Sequence, residues 1–435
     1  MRMYWASVWR IGQAGLFQGS LAAFLAWSAG QGALAGPDEP VGTLPPVSER
    51  ARQVHAAGML FDGHNDLPWR LRAQGDFGLS KFDLSKRLDS GQTDIPRLRD
   101  GGVKAQFWSV YIPSEHPNPA RTVTEQIDLV NRMVDRYPDT LEMAYTADDV
   151  ERIAKNGKIA SLIGIEGGVA IENSLAQLRA FHALGARYMT LTHNSTLDWA
   201  DAANDAAKHD GLTPFGERVV KEMNRLGMLV DISHVSPATM ADALRVSQAP
   251  LIASHSSAFA ICPSPRNVPD EILKEVTKNG GVVMVNFYSG FVVPESGKMM
   301  RKVMDEMRTK YPDRAARTKA MEEWFKTDAA KMSRGTYRDV ADHIDHLVKV
   351  AGIDHVGIGS DFDGITMWPV GLDDVSSYPR LTDELLRRGY SETDIHKILG
   401  ANALRAFRQA GEVAKRLRAT TPPEVDEIKP ERRGG

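Results

Sequence analysis

Cysteine is almost missing from this chain of 435 residues, which contains only Cys262. A single cysteine excludes a disulfide bond within the chain, and its position excludes a lipid-modified cysteine near residue 1. Secreted animal proteins usually carry several disulfide-bonded cysteines. The composition therefore favours a bacterial protein.

A charge excess of one sign is missing as well. The 53 lysines and arginines are balanced by 56 aspartates and glutamates, which leaves a formal net charge of −3. Proteins that bind nucleic acids usually carry a concentrated basic surface. We therefore expect no nucleic-acid partner.

Long apolar runs are also lacking. The most apolar stretch of the first 35 residues, residues 20–27, is short for a membrane span. It follows Arg2 and Arg10 and precedes Ala33-Leu34-Ala35, an order that is typical of an export signal. Residues 1–35 are therefore predicted to be a cleaved signal peptide. This places the protein in the bacterial periplasm or outside the cell, with no stable membrane anchor after cleavage.

Eight short apolar runs predict β-strands, and most of them end in His, Asp or Glu. Between them lie segments with helical periodicity, and this alternation favours a parallel sheet. Polar groups at the carboxyl ends of successive parallel strands are typical of the active site of a (β/α)8 barrel. The sequence therefore predicts an α/β fold, a TIM barrel of the metal-dependent hydrolase type. The runs lie at residues 59–66, 103–112, 159–168, 186–194, 227–234, 250–257, 281–288 and 355–364.

The domain organisation follows from this barrel. Residues 36–52 are interpreted as an N-terminal linker, residues 53–411 as the catalytic barrel and residues 412–435 as a charged, solvated C-terminal tail. The tail lacks the hydrophobic end that a lipid-anchor signal requires. Two long connections, residues 194–213 and the insertion at 291–335 after the seventh predicted strand, are expected on the active-site face. They are interpreted as walls or lids, with a decorative insertion or a dimer contact as the alternative.

Four predicted strands end in residues that suit a metal site. His64 and Asp66 lie two residues apart, so that their side chains point to one side and reach one cation. Glu166 precedes two glycines, which leaves its carboxylate free to bridge two cations. His234 and His255 end neighbouring strands and can hold the second cation. Three histidines and two carboxylates suit a pair of divalent ions, zinc first.

Asp361 ends the last predicted strand and has no histidine beside it. The charge of two divalent ions exceeds that of the two carboxylates, and the excess would hold a hydroxide. Asp361 is placed to take the proton from that water and pass it to a leaving nitrogen. The alternative is a turn or helix-cap role, which we assign to Asp363. Arg266, ten residues after the sixth strand, either lies on the surface or grips a substrate carboxylate through two parallel hydrogen bonds.

The histidines that do not close an apolar run are interpreted as structural or surface residues, because most protein histidines bind no metal. His343 and His346 lie in a helix predicted at residues 337–350. Both are expected to face solvent.

Taken in order, these motifs resemble the membrane (renal) dipeptidase family of zinc dipeptidases, peptidase family M19. The resemblance runs from about His55 to Arg408. It implies a (β/α)8 barrel with a binuclear zinc centre that hydrolyses dipeptides. The matching stretches are DGHNDLPW (62–69), IEGG (165–168), YMTLTHN (188–194), DISHVS (231–236), SHSSA (254–258), PRNVPD (265–270), VMVNFY (283–288) and GSDFDG (359–364).

The resemblance also implies a role for each site residue. Arg266 would bind the C-terminal carboxylate of the substrate, and Asp361 would be the acid and base. A role for His193 comes from the resemblance alone: it would contact the substrate and polarise the scissile carbonyl. Two zinc ions per chain would be bound by the set of His64, Asp66, Glu166, His234 and His255, with Glu166 as the bridge.

Some properties of the family are not expected in this chain, and other functions are still possible alternatives. Animal members are lipid-anchored and disulfide-linked, and this chain lacks both signals. The stretch after Tyr288 does not match, so the preferred dipeptide is not implied, although members commonly accept a C-terminal D-residue and open β-lactam rings. A homodimer is suggested by the resemblance only. The alternatives are another binuclear amidohydrolase, a binding protein that kept the barrel, or zinc with a purely structural role.

Overall fold

Eight parallel strands close into a barrel in the part of the chain that the computed structural model describes, residues 44–325, 327–329 and 334–426. Each strand pairs with its neighbours in order, and β2 pairs with β4 to close the ring. The predicted (β/α)8 barrel is confirmed. The strands in chain order are β1 Leu60–Asn65, β2 Val103–Tyr111, β3 Leu141–Met143, β4 Ile159–Glu166, β5 Ala186–Thr190, β6 Leu229–Asp231, β7 Ile252–Ala253, β8 Val282–Val285 and β9 Val356–Ile358.

One strand, β3, was not predicted from the sequence. It pairs in parallel with residues 159–161 of β4 only, while β5 pairs with the later residues of β4. β3 therefore lies outside the ring of eight. Three residues offer too little alternation to be recognised as a strand.

The regular strands are shorter than the predicted apolar runs. The polar residues that end those runs therefore differ in where they lie relative to the strands. His64 and Glu166 are still within β1 and β4, whereas His255 follows the two-residue β7 by two positions. His234 and Asp361 follow their strands by three positions. His64 and Glu166 thus lie at the ends of strands, while His234, His255 and Asp361 lie in the first turns beyond them.

Helices follow the strands, and their ends carry local signals. Thr213 and Ser236 accept hydrogen bonds from the backbone of Gly216 and Thr239, with proline as the next residue in both cases. In the part of the chain described, the insertion at 291–335 contains the helices Pro294–Lys310 and Arg314–Phe325. The helices are Glu49–Ala57, Leu67–Ala73, Ile95–Asp100, Pro119–Arg136, Ala147–Lys155, Leu175–Ala183, Pro214–Leu226, Pro237–Val246, Asp270–Asn279, Ser289–Val292, Pro294–Lys310, Arg314–Phe325, Tyr337–Ala351, Tyr378–Arg387, Glu392–His396 and Asn402–Thr420.

The C-terminal segment differs from the predicted solvated tail. The last helix continues to Thr420, so the predicted domain end at residue 411 falls inside it. Beyond it, Asp426 accepts hydrogen bonds from the Ser174 hydroxyl (3.2 Å) and the Leu175 N–H (3.0 Å). The segment through residue 426 therefore packs on the barrel, because it caps the helix that begins at Leu175.

The N-terminal boundary also differs from the prediction. The first helix begins at Glu49, inside the predicted linker, with Ser48 as its cap. The predicted signal peptide, residues 1–35, and linker residues 36–43 lie outside the described residues, as do residues 427–435 of the predicted tail. Among the residues described, none of the helices has the length and apolar composition needed to cross a bilayer.

Aromatic rings fill part of the barrel interior. The Phe61 and Phe107 rings stack at 5.3 Å, and Phe107 lies 4.7 Å from the Tyr188 ring. Gly164 makes room for Tyr188, because a Cβ there would lie 2.0 Å from the ring. This buried layer supports the polar residues at the strand exits.

Candidate metal centre

The predicted metal ligands converge at the carboxyl ends of the strands. Together with His193 and Asp361, which were not predicted as ligands, their candidate donor atoms form three overlapping groups, and within each group these atoms lie within 4.8 Å of one another. Glu166 and His64 each belong to two groups, so the groups form one connected centre. The groups are His64 with Glu166 and His255, Glu166 with His193 and His234, and His64 with Asp66 and Asp361.

Glu166 lies in the middle of the centre. Its Oε1 is 3.0 Å from His234 Nε2 and 3.6 Å from His255 Nε2, while its Oε2 is 3.4 Å from His64 Nε2. Burial raises the pKa of this carboxyl group, but the charge of His64 and the hydrogen bond from His234 hold the pKa well below its usual range. The two oxygens thus face different histidines, as a bridging carboxylate requires.

The nitrogen atoms that face one another fit divalent cations. His234 Nε2 and His255 Nε2 lie 2.9 Å apart. At this distance at most one of the two nitrogens can carry a proton that points at the other, so at least one is free to bind a cation. His64 Nε2 is buried and has no hydrogen-bond partner in the described part of the chain. Burial lowers the pKa of His234 and His255 well below the usual value, which favours the neutral form that binds metals. The side chains present therefore fit a pair of divalent ions.

Two of the histidines are oriented by buried hydroxyl groups. His64 Nδ1 lies 2.7 Å from the Tyr188 hydroxyl, and His255 Nδ1 lies 2.7 Å from the Ser254 hydroxyl. Ser254 in turn donates to Asp231 Oδ2 at 2.6 Å. Such contacts turn the opposite ring nitrogen towards the metal and fix the tautomer. The sequence analysis missed these supporting residues, although a carboxylate at the end of the apolar stretch of β6 was a signal.

The turns beyond the strands contain unusual backbone conformations. His234 and Asp361 have φ values of 68° and 67°, in the left-handed region that non-glycine residues rarely adopt. Each such residue costs about 1–3 kcal/mol and persists where the surrounding structure enforces it. The strain is located at residues whose side chains point into the centre.

Asp361 belongs to the group with His64 and Asp66, and Asn286 holds its carboxylate. Its Oδ2 accepts a hydrogen bond from Asn286 Nδ2 at 2.8 Å. Desolvation raises the pKa of Asp361 well above its ordinary value, and the charges of Asp66 and Glu166 add to the effect. A raised pKa favours the protonated form of the carboxyl group, the form that an acid needs. Asp363 instead accepts from the Gln92 N–H at 2.7 Å, which agrees with its assigned structural role.

Arg266 is buried, with 1% of its surface exposed, and not on the surface. Its Nη1 and Nη2 make only long contacts of 3.5 Å, to the Ser256 hydroxyl and the His255 carbonyl, and Nε has no partner among the described residues. The Phe291 ring lies 5.2 Å from the guanidinium carbon. Burial lowers the pKa of Arg266 to about 10, so the group is still charged at neutral pH. A buried and weakly bonded guanidinium is suited to an anionic ligand group.

His193 lies at the edge of the centre. Its Nε2 is 3.7 Å from Glu166 Oε1, and its ring packs edge-on against Tyr111 at 4.7 Å. Tyr111 also contacts Trp69 at 4.9 Å, which extends an aromatic wall away from the centre. Burial lowers the pKa of His193, so the ring is neutral and can donate one hydrogen bond.

The prediction for His343 was wrong. This side chain is fully buried, whereas His346 is partly exposed and bonds Asp270 Oδ1 at 2.8 Å. His343 lies on the same helical stripe as the buried Val340 and Ile344. The periodicity of these residues was the signal that placed it inside.

Comparison with known proteins gives a consistent result. The model of the family described as membrane dipeptidase (peptidase family M19) matches residues 48–421. The probable dipeptidase PvdM from Pseudomonas aeruginosa is 25% identical with a TM-score of 0.72, over 84% of this chain and 98% of that one. A metallopeptidase from Rhodobacter sphaeroides, solved with a phosphinate mimic of the dipeptide L-Ala-D-Ala, is 26% identical with a TM-score of 0.66, over 81% and 99%. A further structure, described as a dipeptidase and metallopeptidase of family M19, is 27% identical with a TM-score of 0.65, over 81% and 98%.

Proposed function

The chain belongs to the membrane dipeptidase family, peptidase family M19, and we propose that it hydrolyses the peptide bond of dipeptides at a pair of zinc ions. Membership makes it a metal-dependent peptide hydrolase. The observation that carries the finer proposal is the position of Glu166, whose two oxygens face His64 on one side and His234 on the other. One bridging carboxylate with ligands on both sides suits two metal ions rather than one.

The protein residues divide the remaining work. The zinc ions, when bound, would supply Lewis acidity and lower the pKa of water to near neutral. Asp361 takes up the proton of the attacking water and passes it to the leaving amine, since its raised pKa lets it hold a proton. His193, neutral and beside Glu166, donates a hydrogen bond to the oxygen of the scissile carbonyl.

Arg266 explains why the substrate would be a dipeptide. The guanidinium contacts the His255 carbonyl, so a carboxylate bound to it lies close to the reacting carbonyl. With the carboxylate bound at this buried guanidinium, the proposal places a single residue after the scissile bond. The Rhodobacter sphaeroides relative was solved with a mimic of L-Ala-D-Ala. We extend the proposal to dipeptides with a C-terminal D-residue on this basis.

A substrate panel tests the proposal. The zinc-loaded protein is assayed with L,L and L,D dipeptides, a tripeptide, an N-acyl amino acid and a lactone, each with and without a chelator. Chelator-sensitive cleavage confined to dipeptides supports the proposal, and a zinc content of two ions per chain supports the binuclear centre. Cleavage of only the lactone or the N-acyl amino acid would favour another amidohydrolase activity. Tight binding of zinc without cleavage would favour a binding protein.

A further inference from the structure

Apart from its long contacts to the Ser256 hydroxyl and the His255 carbonyl, Arg266 depends on two chain segments for its position. One is the loop of residues 258–268, here called the Arg266 loop, and the other is the short helix Ser289–Val292, which carries Phe291. The Phe291 ring lies 5.2 Å from the guanidinium carbon of Arg266. Because the hydrogen bonds of Arg266 itself are long, at 3.5 Å, the position of its guanidinium depends on how these segments are held together.

His343 joins the two segments from a third element, the helix Tyr337–Ala351. Its Nδ1 accepts a hydrogen bond from the Ala258 N–H at 3.0 Å, and its Nε2–H donates to the Val292 carbonyl at 2.9 Å. Ala258 opens the Arg266 loop and forms a β-bridge with Val268, which closes it. His343 therefore holds the base of the loop and the residue after Phe291 at the same time.

The chemistry of these two contacts permits one form of the ring. One nitrogen must accept and the other must donate, so only the neutral tautomer with a proton on Nε2 satisfies both backbone groups. Burial lowers the pKa of His343 to about 4, which keeps the ring neutral at physiological pH. The contact is therefore stable under working conditions and is not a pH switch near neutrality.

Asn267 provides a second connection between the same segments. Its Nδ2 donates to the Phe291 carbonyl at 2.7 Å, and its Oδ1 accepts from the Ser257 N–H at 3.0 Å. Two buried side chains thus join the Arg266 loop to consecutive carbonyl groups, those of Phe291 and Val292.

We propose that His343 is a positioning residue for substrate recognition, which holds the Arg266 loop against Phe291 so that the guanidinium meets the substrate carboxylate. The inference rests on the proposed function, since it needs a dipeptide whose carboxylate binds Arg266. The hydrogen bonds of His343 go to the backbone of Ala258 and Val292 and to none of the candidate metal ligands, so its loss weakens binding of the carboxylate and leaves the chemical step intact.

The test compares His343→Leu with His346→Leu, a control three residues further along the same helix. KM and kcat are measured for a dipeptide and for the same dipeptide as its C-terminal amide. For His343→Leu we expect KM of the dipeptide to rise about tenfold, with kcat within about a factor of two, which is the pattern of a lost binding interaction. The efficiency kcat/KM towards the amide and both parameters of His346→Leu should stay at wild-type values.

The variant Arg266→Ala separates failure of this inference from failure of the proposed function. A wild-type enzyme that cleaves acid and amide equally well would overturn the role of Arg266, and with it the role of His343. If Arg266→Ala loses the preference for the acid while His343→Leu keeps the wild-type KM, only the inference about His343 is overturned. If His343→Leu adds no further rise in KM to Arg266→Ala, the two residues act through one interaction, as proposed.

A second variant covers the case in which His343→Leu does not fold. His343→Asn has a shorter side chain that cannot bridge Ala258 and Val292, but it stays polar. A raised KM with an unchanged kcat supports the proposal, and wild-type values for both parameters overturn it.

Discussion

The chemistry proposed for Asp361 depends on the residues that surround its carboxyl group. Its carboxyl group lies beside Asp66 and Glu166, and the desolvated site raises its pKa well above the ordinary value. The backbone of Asp361 is in the left-handed region, with φ of 67°, which directs the side chain into the centre. These surroundings support the acid and base role proposed for Asp361.

The first prediction concerns this residue. Asp361→Asn should keep two zinc ions but reduce kcat by about 10²-fold or more, because the amide cannot accept and return a proton. Zinc content by elemental analysis and steady-state kinetics provide the measurement. Asp363→Asn is the matched control and should lower thermal stability more than kcat, since Asp363 bonds the Gln92 N–H and Arg70. Full activity of Asp361→Asn would assign the acid and base role elsewhere.

A second prediction at this scale concerns Arg266. Arg266→Ala should raise KM for dipeptides by about 10-fold to 100-fold, the loss expected for one charge-assisted contact of about 1.5–3 kcal/mol, with a smaller effect on kcat. Arg301→Ala is a suitable control, since Arg301 Nη1 donates to the Pro263 carbonyl of the same loop at 3.3 Å. An unchanged KM in Arg266→Ala would remove this residue from substrate binding.

At the scale of elements, two buried aspartates perform the same task on different strands. Asp62 in β1 accepts from the Ser360 N–H (2.8 Å) and hydroxyl (2.6 Å), and Asp231 in β6 accepts from the Ser254 N–H (2.9 Å) and hydroxyl (2.6 Å). In each pair the serine follows the neighbouring strand and precedes a site residue. The two carboxylates therefore fix the turns that carry Asp361 and His255.

The third prediction follows from the second of these pairs. Ser254→Ala should weaken zinc binding about 10-fold to 100-fold, because the contact that orients His255 is lost. Competition with a chromogenic chelator measures the affinity without relying on activity. Ser247→Ala, whose hydroxyl bonds the Ala249 carbonyl away from the centre, is the control. Equal zinc affinity in both variants would show that Ser254 does not orient the ligand.

At the scale of the whole molecule, buried neutral histidines link stability to pH. His55 is buried, with Nδ1 2.7 Å from the Thr382 hydroxyl and Nε2 2.8 Å from the Gly101 carbonyl, and burial lowers its pKa to about 4. In the unfolded chain the same group titrates near its usual value of 6.5. Between these values the unfolded state binds more protons, so the free energy of unfolding falls as the pH falls.

The fourth prediction uses this difference. The contribution of His55 to the free energy of unfolding should be complete above about pH 6.5. It should decline as the pH falls from there towards about pH 4. His55→Gln should be less stable at neutral pH and should show a shallower decline. Urea unfolding across this range is the measurement, and His346→Gln, a partly exposed histidine, is the control. An identical slope in His55→Gln and the wild type would contradict the assignment.

The fifth prediction concerns export. Residues 1–35 lie outside the described residues, and their role as a signal peptide is proposed from their sequence alone. If the protein is expressed in a bacterial host with this segment, mature protein in the periplasmic fraction should begin at or near Gly36. N-terminal sequencing decides the matter, and a mature protein that begins at Met1 would contradict the proposal.

Much of the fold and the candidate centre could be predicted because the pattern of a barrel is local. Each strand is part of a short apolar run, and a polar residue stands at or near the end of that run. His64, Glu166, His234 and His255 can therefore be recognised in the sequence. Parallel strands then bring their carboxyl ends together by construction. The same reasoning found Asp361, and it placed Arg266 in a loop that follows a strand.

Contacts between residues distant in sequence were decided only by the tertiary structure. The burial of His343 between Ala258 and Val292, the pairing of Asp62 with Ser360 and the packing of Asp426 on Ser174 each join segments dozens to hundreds of residues apart. Nothing in a local pattern of apolar and polar residues specifies such partners. The sequence by itself determined the barrel and which side chains face its mouth, because strand periodicity is a property of neighbours. The tertiary structure decided how those side chains are held and charged, because hydrogen bonding and desolvation depend on what folding brings around them.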